Sequence, residues 1–211
     1  MPIPSIAPYT IPAPPTAHAV TWTPRPRASA LLVHDMQRYF LDAYPAEESP
    51  ASTVIPRIRA LIDAADAAGI PVFYSVQPPC QQEYRRGLLR EFWGEGMQTA
   101  REAEVIAALT PREHHHVLTK WRYSALQRTD LRQALAYAGR DELIITGVYG
   151  HMGCMMTAAE AFMNDVRAFV LRDAIADFTA EDHQRTLDWV ARRCGRVLDT
   201  DDVLRAWTAT P

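Results

Sequence analysis

From residue 28 onward, short apolar runs rich in strand formers alternate with longer segments of helical period, and one type almost never follows itself. The strand-like runs are 30–34 (ALLVH), 71–76 (PVFYSV), 116–120 (HVLTK), 143–147 (LIITG), 168–171 (AFVL) and 196–198 (RVL). Helix-period segments lie between them at 54–68, 102–109, 130–138, 154–165 and 180–193. In the first of these, Val54, Ile55, Ile58, Leu61, Ile62 and Ala65 share one face, and Gly69 supplies a C-terminal stop. Short strands that are apolar throughout and alternate with helices build a mostly parallel sheet covered on both faces. Residues 28–211 are therefore expected to form one doubly wound α/β domain with a six-stranded, mostly parallel sheet.

Residues 1–27 are different. They hold eight of the 16 prolines, Pro2, Pro4, Pro8, Pro12, Pro14, Pro15, Pro24 and Pro26, which excludes a regular helix or a central strand. Ile3, Ile6, Tyr9, Ile11 and Trp22 make this arm too apolar for a free linker, so it is expected to pack on the domain or on a second subunit. The formal charge of −3, with Lys and Arg dispersed, leaves no basic footprint for nucleic acid. Cys80, Cys154 and Cys194 form no metal or redox motif, no window has the roughly 20 apolar residues of a membrane span, and the first residues do not read as a secretory signal. A cytoplasmic location with reduced thiols is expected.

In a parallel sheet all strand carboxyl ends face one way, and ligands bind beyond them. Asp35 follows ALLVH, Lys120 ends HVLTK, and the turn at 149–154 follows LIITGV, so an acid, an amine and a turn of backbone N–H groups are expected to share one crevice. Alone, Asp35 reads as a helix cap, Lys120 as a surface stem, and Cys154 as a candidate nucleophile. The stretch 78–98, with Gly87, Gly94 and Gly96 around Arg85, Arg86, Phe92 and Trp93, has the length and composition of a lid or binding loop. Three consecutive histidines, His114 to His116, cannot converge on one ion from a strand, whose side chains alternate in direction, and are read as a surface turn with no metal.

Six segments, HDMQRYF (34–40), SVQP (75–78), RGLLREFWGEGM (86–97), TKWRYSAL (119–126), LIITGVYGHMGCMMTAAEAFMNDV (143–166) and DAIADF (173–178), together resemble the isochorismatase family over nearly the whole chain. Within that family the chain resembles the stand-alone enzymes and isochorismatase domains of catechol siderophore and phenazine biosynthesis. The wider superfamily includes cysteine amidohydrolases such as nicotinamidases, which carry their cysteine at the seventh place from the glycine of this turn. Here Gly147 is the first place and Gly153 the seventh, and Cys154 lies one residue beyond, turned by roughly 100° at a helix start. The resemblance thus implies an acid and a lysine without a nucleophilic thiol, with Cys154 packed as a small hydrophobe. The amidohydrolases' zinc pattern is missing as well, since 41–49 contains no histidine.

By that resemblance Asp35 is the catalytic acid, and Lys120 binds a substrate carboxylate and places the substrate. Gln77, Arg86, Tyr149 and the backbone at Gly153 are substrate ligands, with Phe40 and Trp93 as apolar walls. The reaction implied is hydrolysis of the enol-pyruvyl ether of isochorismate, or of 2-amino-2-deoxyisochorismate, without metal or cofactor. A homodimer is implied, and any carrier-protein partner is expected on another polypeptide. Departures such as Gly150 and Leu126 leave the choice of substrate open, and a cysteine amidohydrolase or a non-catalytic partner of a carrier-protein assembly line are the rival readings.

Overall fold

A computed structural model of the protein describes residues 3–208; Met1, Pro2 and 209–211, which the sequence reading placed in the arm and at the end of the domain, lie outside the described residues. In chain order the elements are β1 (Ser29–His34), α1 (Arg38–Leu41), α2 (Ala51–Ala67), β2 (Val72–Val76), α3 (Glu83–Arg86), α4 (Leu89–Trp93), α5 (Ala100–Ala103), β3 (His116–Thr119), α6 (Leu131–Tyr137), β4 (Glu142–Val148), α7 (Met155–Met163), β5 (Arg167–Ala176), α8 (Ala180–Arg193), β6 (Gly195–Leu198) and α9 (Thr200–Thr208). The six strands form one sheet in the order β3-β2-β1-β4-β5-β6, parallel throughout. The order reverses between β1 and β4, so this pair is the switch point at which doubly wound sheets open a crevice.

Both central strands are buried along their whole length, as a sheet covered on two sides requires. One face carries Leu31, Val33, Ile144 and Phe169 against α2 and α9; the other carries Ala30, Leu32, Leu143 and Ile145 against α6, α7 and α8. β1 and β4 approach closely where β1 ends. Gly147 has φ of 105°, and a Cβ there would overlap the His34 carbonyl oxygen, so only glycine fits.

Several elements depart from the sequence pattern. The 102–109 helix is not formed: α5 stops at Ala103, and the next residues turn to the 36–38 stretch, where Arg38 N donates to Glu104 O and Ile106 N to Met36 O. Tertiary hydrogen bonds there displace helical ones. β5 runs well past its apolar run because buried Asp173 accepts hydrogen bonds from Thr200 N and Oγ1, both at 2.8 Å. Helix α9 was not anticipated, although Asp201 and Asp202 in its first turn and Val203 and Trp207 one turn apart are ordinary helix signals. The arm, described from Ile3, has neither helix nor strand and lies along the domain, with Ile6 buried and Ala19 N donating to Ala191 O at 2.8 Å.

The histidine run needs a correction. β3 begins only at His116, and His114 and His115 lie in the turn before it, so the alternation of a strand does not apply to them. Both direct Nε2 at Asp66 Oδ1 at 3.0 Å, and Arg112 pairs with the second oxygen of Asp66 and with Asp63. These three side chains bring their donor atoms close enough for a metal ion. The backbone N–H of Arg112, however, donates to His115 Nδ1 at 3.0 Å, so the neutral ring keeps its proton on Nε2, facing Asp66, and has no lone pair to offer an ion there. The cluster is a hydrogen-bonded clasp between α2 and β3.

Partial burial pushes the Asp66 carboxyl up, but the hydrogen bonds from His114, His115 and Arg112 bring it down to about 2 from an unfolded value of 3.8. A depressed carboxylate contributes stability that is present above the unfolded value and lost as pH falls toward the folded one. Asp66→Asn is expected to flatten the loss of stability between pH 3.8 and about 2, followed by urea unfolding. Equal slopes in the two proteins would remove the clasp as a contributor.

Candidate active site

Four strands deliver polar groups to the same edge of the sheet. Asp35 follows β1 with φ of 51°, a left-handed conformation rare for an L residue, and its N–H still donates to Ser75 O at 3.0 Å. Its Oδ1 accepts from Ser75 Oγ at 2.8 Å, and its Oδ2 from Gln77 Nε2 at 3.0 Å and Lys120 Nζ at 2.9 Å. Gln77 is held in turn by Gln37, whose amide accepts from Gln77 N and donates to Gln77 O. Asp35 is 3% exposed and Lys120 1%. Burial pushes the Asp35 carboxyl up, but Lys120, His34 and the Gln77 hydrogen bond outweigh it, and the group is held below the usual carboxylate range.

The three protons of the Lys120 ammonium face three acceptors: Asp35, Arg122 O at 2.7 Å and Tyr123 O at 3.4 Å. In the free site this cation is turned toward Asp35 and the loop after β3. Arg86 is the contrasting case. It is buried, its Nε donates to Gly94 O at 2.6 Å, and among the described residues no carboxylate lies within ion-pair distance of it. Burial lowers its guanidinium below the usual arginine range, the signature of a desolvated cation.

All eight residues singled out in the sequence, Asp35, Phe40, Gln77, Arg86, Trp93, Lys120, Tyr149 and Gly153, line one cavity with an empty volume of about 610 Å³, mouth included. Phe40 and Tyr149 pack edge to face at 5.8 Å, and the Tyr149 hydroxyl donates to Phe40 O at 2.9 Å. That proton is therefore committed, and burial pushes the phenol well above its usual range, so toward a ligand its oxygen can only accept. The expected lid contains α3 and α4. Arg86, Leu89 and Trp93 turn inward, and Trp93 Nε1 donates to Tyr123 OH at 2.7 Å, latching the lid to the loop after β3.

Sequence reasoning missed Ile3, His34, Tyr39, Tyr123, Met152 and Phe178, which also line the cavity. His34, Tyr39, Tyr123 and Phe178 stand inside the quoted motifs; nothing in their spacing distinguished them from packing residues. His34 is the most informative. Its Nδ1 faces Val148 O at 2.8 Å and its Nε2 faces Tyr123 O at 3.2 Å, which fixes the ring against Gly153. A Cβ at Gly153 would overlap the His34 ring. No side chain can stand at residue 153 while the imidazole is there. Cys154, one place on, is fully buried in the core beneath α7 and α8, and burial pushes its thiol well above the usual range. A thiol so placed is not a nucleophile.

The turn itself is held by an acid in the last motif. Residues Gly150–Cys154 form a single π-helical turn before α7. The buried Asp177 carboxylate accepts from His151 N at 2.6 Å and meets His151 Nδ1 at 2.5 Å. Desolvation lowers the His151 ring, but the Asp177 pairing outweighs it and the ring is raised above its ordinary value.

A parallel sheet with an acid, an amine and a glycine-floored turn gathered at its switch point has the layout of an α/β hydrolase site. The Isochorismatase domain family matches residues 29–202, and the chain belongs to that family. It is 45% identical over 207 residues to the isochorismatase of Bacillus subtilis, covering 97% of this chain and 66% of that protein. It is 42% identical over 205 residues to the phenazine biosynthesis protein PhzD of Pseudomonas fluorescens, covering 96% of this chain and 98% of that one. Among solved structures, a cysteine hydrolase from Pseudomonas syringae pv. phaseolicola superposes with a TM-score of 0.82 at 25% identity, covering 89% of this chain and 96% of that one. Among the described residues no helix is long and apolar enough to cross a membrane.

Removing one partner of a buried ion pair leaves an uncompensated charge and costs about 3–5 kcal/mol. Lys120→Met is expected to destabilise the protein by that order, measured by denaturant unfolding at neutral pH. A change under about 1 kcal/mol would mean that the pair is solvated in the free protein.

Proposed function

We propose that the protein hydrolyses the enol-pyruvyl ether of isochorismate to 2,3-dihydro-2,3-dihydroxybenzoate and pyruvate, an ether hydrolysis driven by an acid and without a covalent enzyme intermediate. The observation that carries this reading is the His34 ring against Gly153. It leaves a site with a carboxyl group, two buried cations and, among the described residues lining it, no thiol or hydroxyl of Cys, Ser or Thr, which suits protonation of carbon rather than acyl transfer. The likeness to the isochorismatase of Bacillus subtilis supports the choice of substrate.

Isochorismate carries two carboxylates. Arg86, buried and without a carboxylate partner among the described residues, is the group to receive one through paired hydrogen bonds. Negative charge arriving beside Asp35 opposes its ionisation, so Asp35 takes up a proton as the substrate binds. Lys120 and Gln77 hold that carboxyl in place. Asp35 then protonates the terminal methylene of the enol ether, and the adjacent carbon becomes an oxocarbenium ion. Water adds to that carbon and returns a proton to Asp35. The resulting hemiketal breaks its bond to the ring oxygen, which leaves as the ring hydroxyl, and the remainder is pyruvate. Phe40 and Trp93 wall off the reacting centre, and the Tyr149 oxygen accepts from a ring hydroxyl.

2-Amino-2-deoxyisochorismate, which the family resemblance suggests, is the alternative substrate for the same chemistry, and the likeness to a phenazine biosynthesis protein supports keeping it. A homodimer and a carrier-protein partner in trans belong to the same proposal and rest on the family resemblance. Release of pyruvate from each substrate, followed by coupling to lactate dehydrogenase, tests the reading; no release from either would sink it.

Two substitutions divide the roles. Asp35→Asn is expected to lower kcat by about 10²- to 10⁴-fold, the usual contribution of a general acid, and a variant that keeps most of its kcat would exclude Asp35 as the acid. Arg86→Lys is expected to raise KM more than it lowers kcat, because a point charge replaces a planar fork. Unchanged kinetics would take Arg86 out of the binding set.

A further inference from the structure

The cavity has a wall that does not come from the sheet or its loops. Ile3, near the tip of the proline-rich arm, lines the same cavity as Asp35, Arg86, Lys120 and Trp93. Three residues on, Ile6 is 2% exposed within the core cluster that contains Phe40, Tyr44 and Tyr149, and its N–H donates to Ala43 O at 2.8 Å. Tyr9 follows, with its N–H donating to Ser49 O at 3.0 Å. The Tyr9 hydroxyl accepts from Asp177 N at 2.8 Å and meets His183 Nδ1 at 3.2 Å. Asp177 is the residue whose carboxylate holds the 150–154 turn, so one anchor of the arm and one edge of the site share a residue. Pro4 and Pro8 stiffen the stretch by fixing φ, which lowers the entropy lost in holding an extended segment without a strand partner.

We infer that the arm is part of the substrate site: Ile3 is an apolar wall that meets the bound substrate, and Ile6 and Tyr9 are the pins that keep it over the cavity. The arm thereby sets how well the substrate is positioned and how far water is excluded from the oxocarbenium stage. Ile3 is a positioning residue, with no part in proton transfer. For the identity of the ligand this rests on the function proposed above; for the covering of the cavity it does not.

The experiment compares Ile3→Ala, Ile3→Val and Tyr9→Phe with the unmodified protein. With isochorismate, Ile3→Ala is expected to raise KM about three- to tenfold, from the loss of a half-buried aliphatic contact, while Tm stays within about 1 °C because the tip carries little of the core. Ile3→Val is expected to recover most of the loss, and Tyr9→Phe to raise KM in the same direction by releasing an anchor. An unchanged KM in Ile3→Ala would overturn the inference, and so would a fall in Tm that accounts for the lost activity. A second readout is independent of turnover: amide hydrogen exchange in residues 148–154 and 86–97 is expected to be faster in a variant lacking residues 1–4. Unchanged exchange there overturns the arm as a cover, even if the protein releases no pyruvate. Faster exchange without pyruvate release would uphold the cover and overturn only the substrate.

Discussion

A carboxylate and an ammonium, each almost completely removed from water, sit 2.9 Å apart at the carboxyl edge of the sheet. Neither could be buried alone, because desolvating an isolated charge costs several kcal/mol. Their mutual attraction, with hydrogen bonds from Ser75 and Gln77 on one side and the carbonyls of Arg122 and Tyr123 on the other, is what makes the burial tolerable. The partners come from β1 and β3, separated by β2, so the pair forms only if three strands are in register. A parallel sheet supplies that alignment, since all its strands end on the same side. The left-handed turn at Asp35 and the close crossing at Gly147 are local strains retained because the surrounding register determines them.

The two buried cations divide the electrostatic task. Lys120 spends its protons within the protein, while Arg86 is buried with carbonyl partners and no anion among the described residues. A desolvated guanidinium in that state is primed for a ligand carboxylate, because the cost of its desolvation is met during folding. The sequence reading gave both Lys120 and Arg86 a substrate carboxylate, and did not distinguish the two cations by what holds them in the free site. The spacing of TKWRYS cannot show that the loop after Lys120 folds back to present two carbonyls to its own side chain.

Much of the architecture was legible because it follows from periodicity. The apolar runs at 30–34 and 143–147 were legible as strands of a parallel sheet, and the helix 180–193 is bounded by Thr179, which accepts from Asp182 N, and by the start of β6. What could not be read depends on contacts distant in sequence. The 102–109 segment has helical composition, yet its backbone is claimed by residues 36–38. Helix α9 carried its signals openly, and the strand extension 172–176 was hidden by Arg172 and Asp173, whose partners are Asp199 and Thr200. The eight chosen site residues share a cavity because strand ends converge, which topology predicts. His34 went unmarked because its task, filling the space beside Gly153 between the Val148 and Tyr123 carbonyls, leaves no trace in spacing.

The contact between the His34 ring and the Cα of Gly153 also bears on how this fold passes between chemistries. A nucleophile on the turn and an imidazole at the end of β1 compete for one volume, so the two states cannot be joined by a single replacement at either position. A thiol introduced at residue 153 has no room until the ring at residue 34 is cut back, and cutting back that ring removes the hydrogen bond it donates to a carbonyl, Val148 O or Tyr123 O, before any thiol is present. Starting from this chain, a side chain at residue 153 therefore requires a second change at residue 34. The constraint is purely steric: the volume a side chain at residue 153 would need is the volume the His34 ring fills.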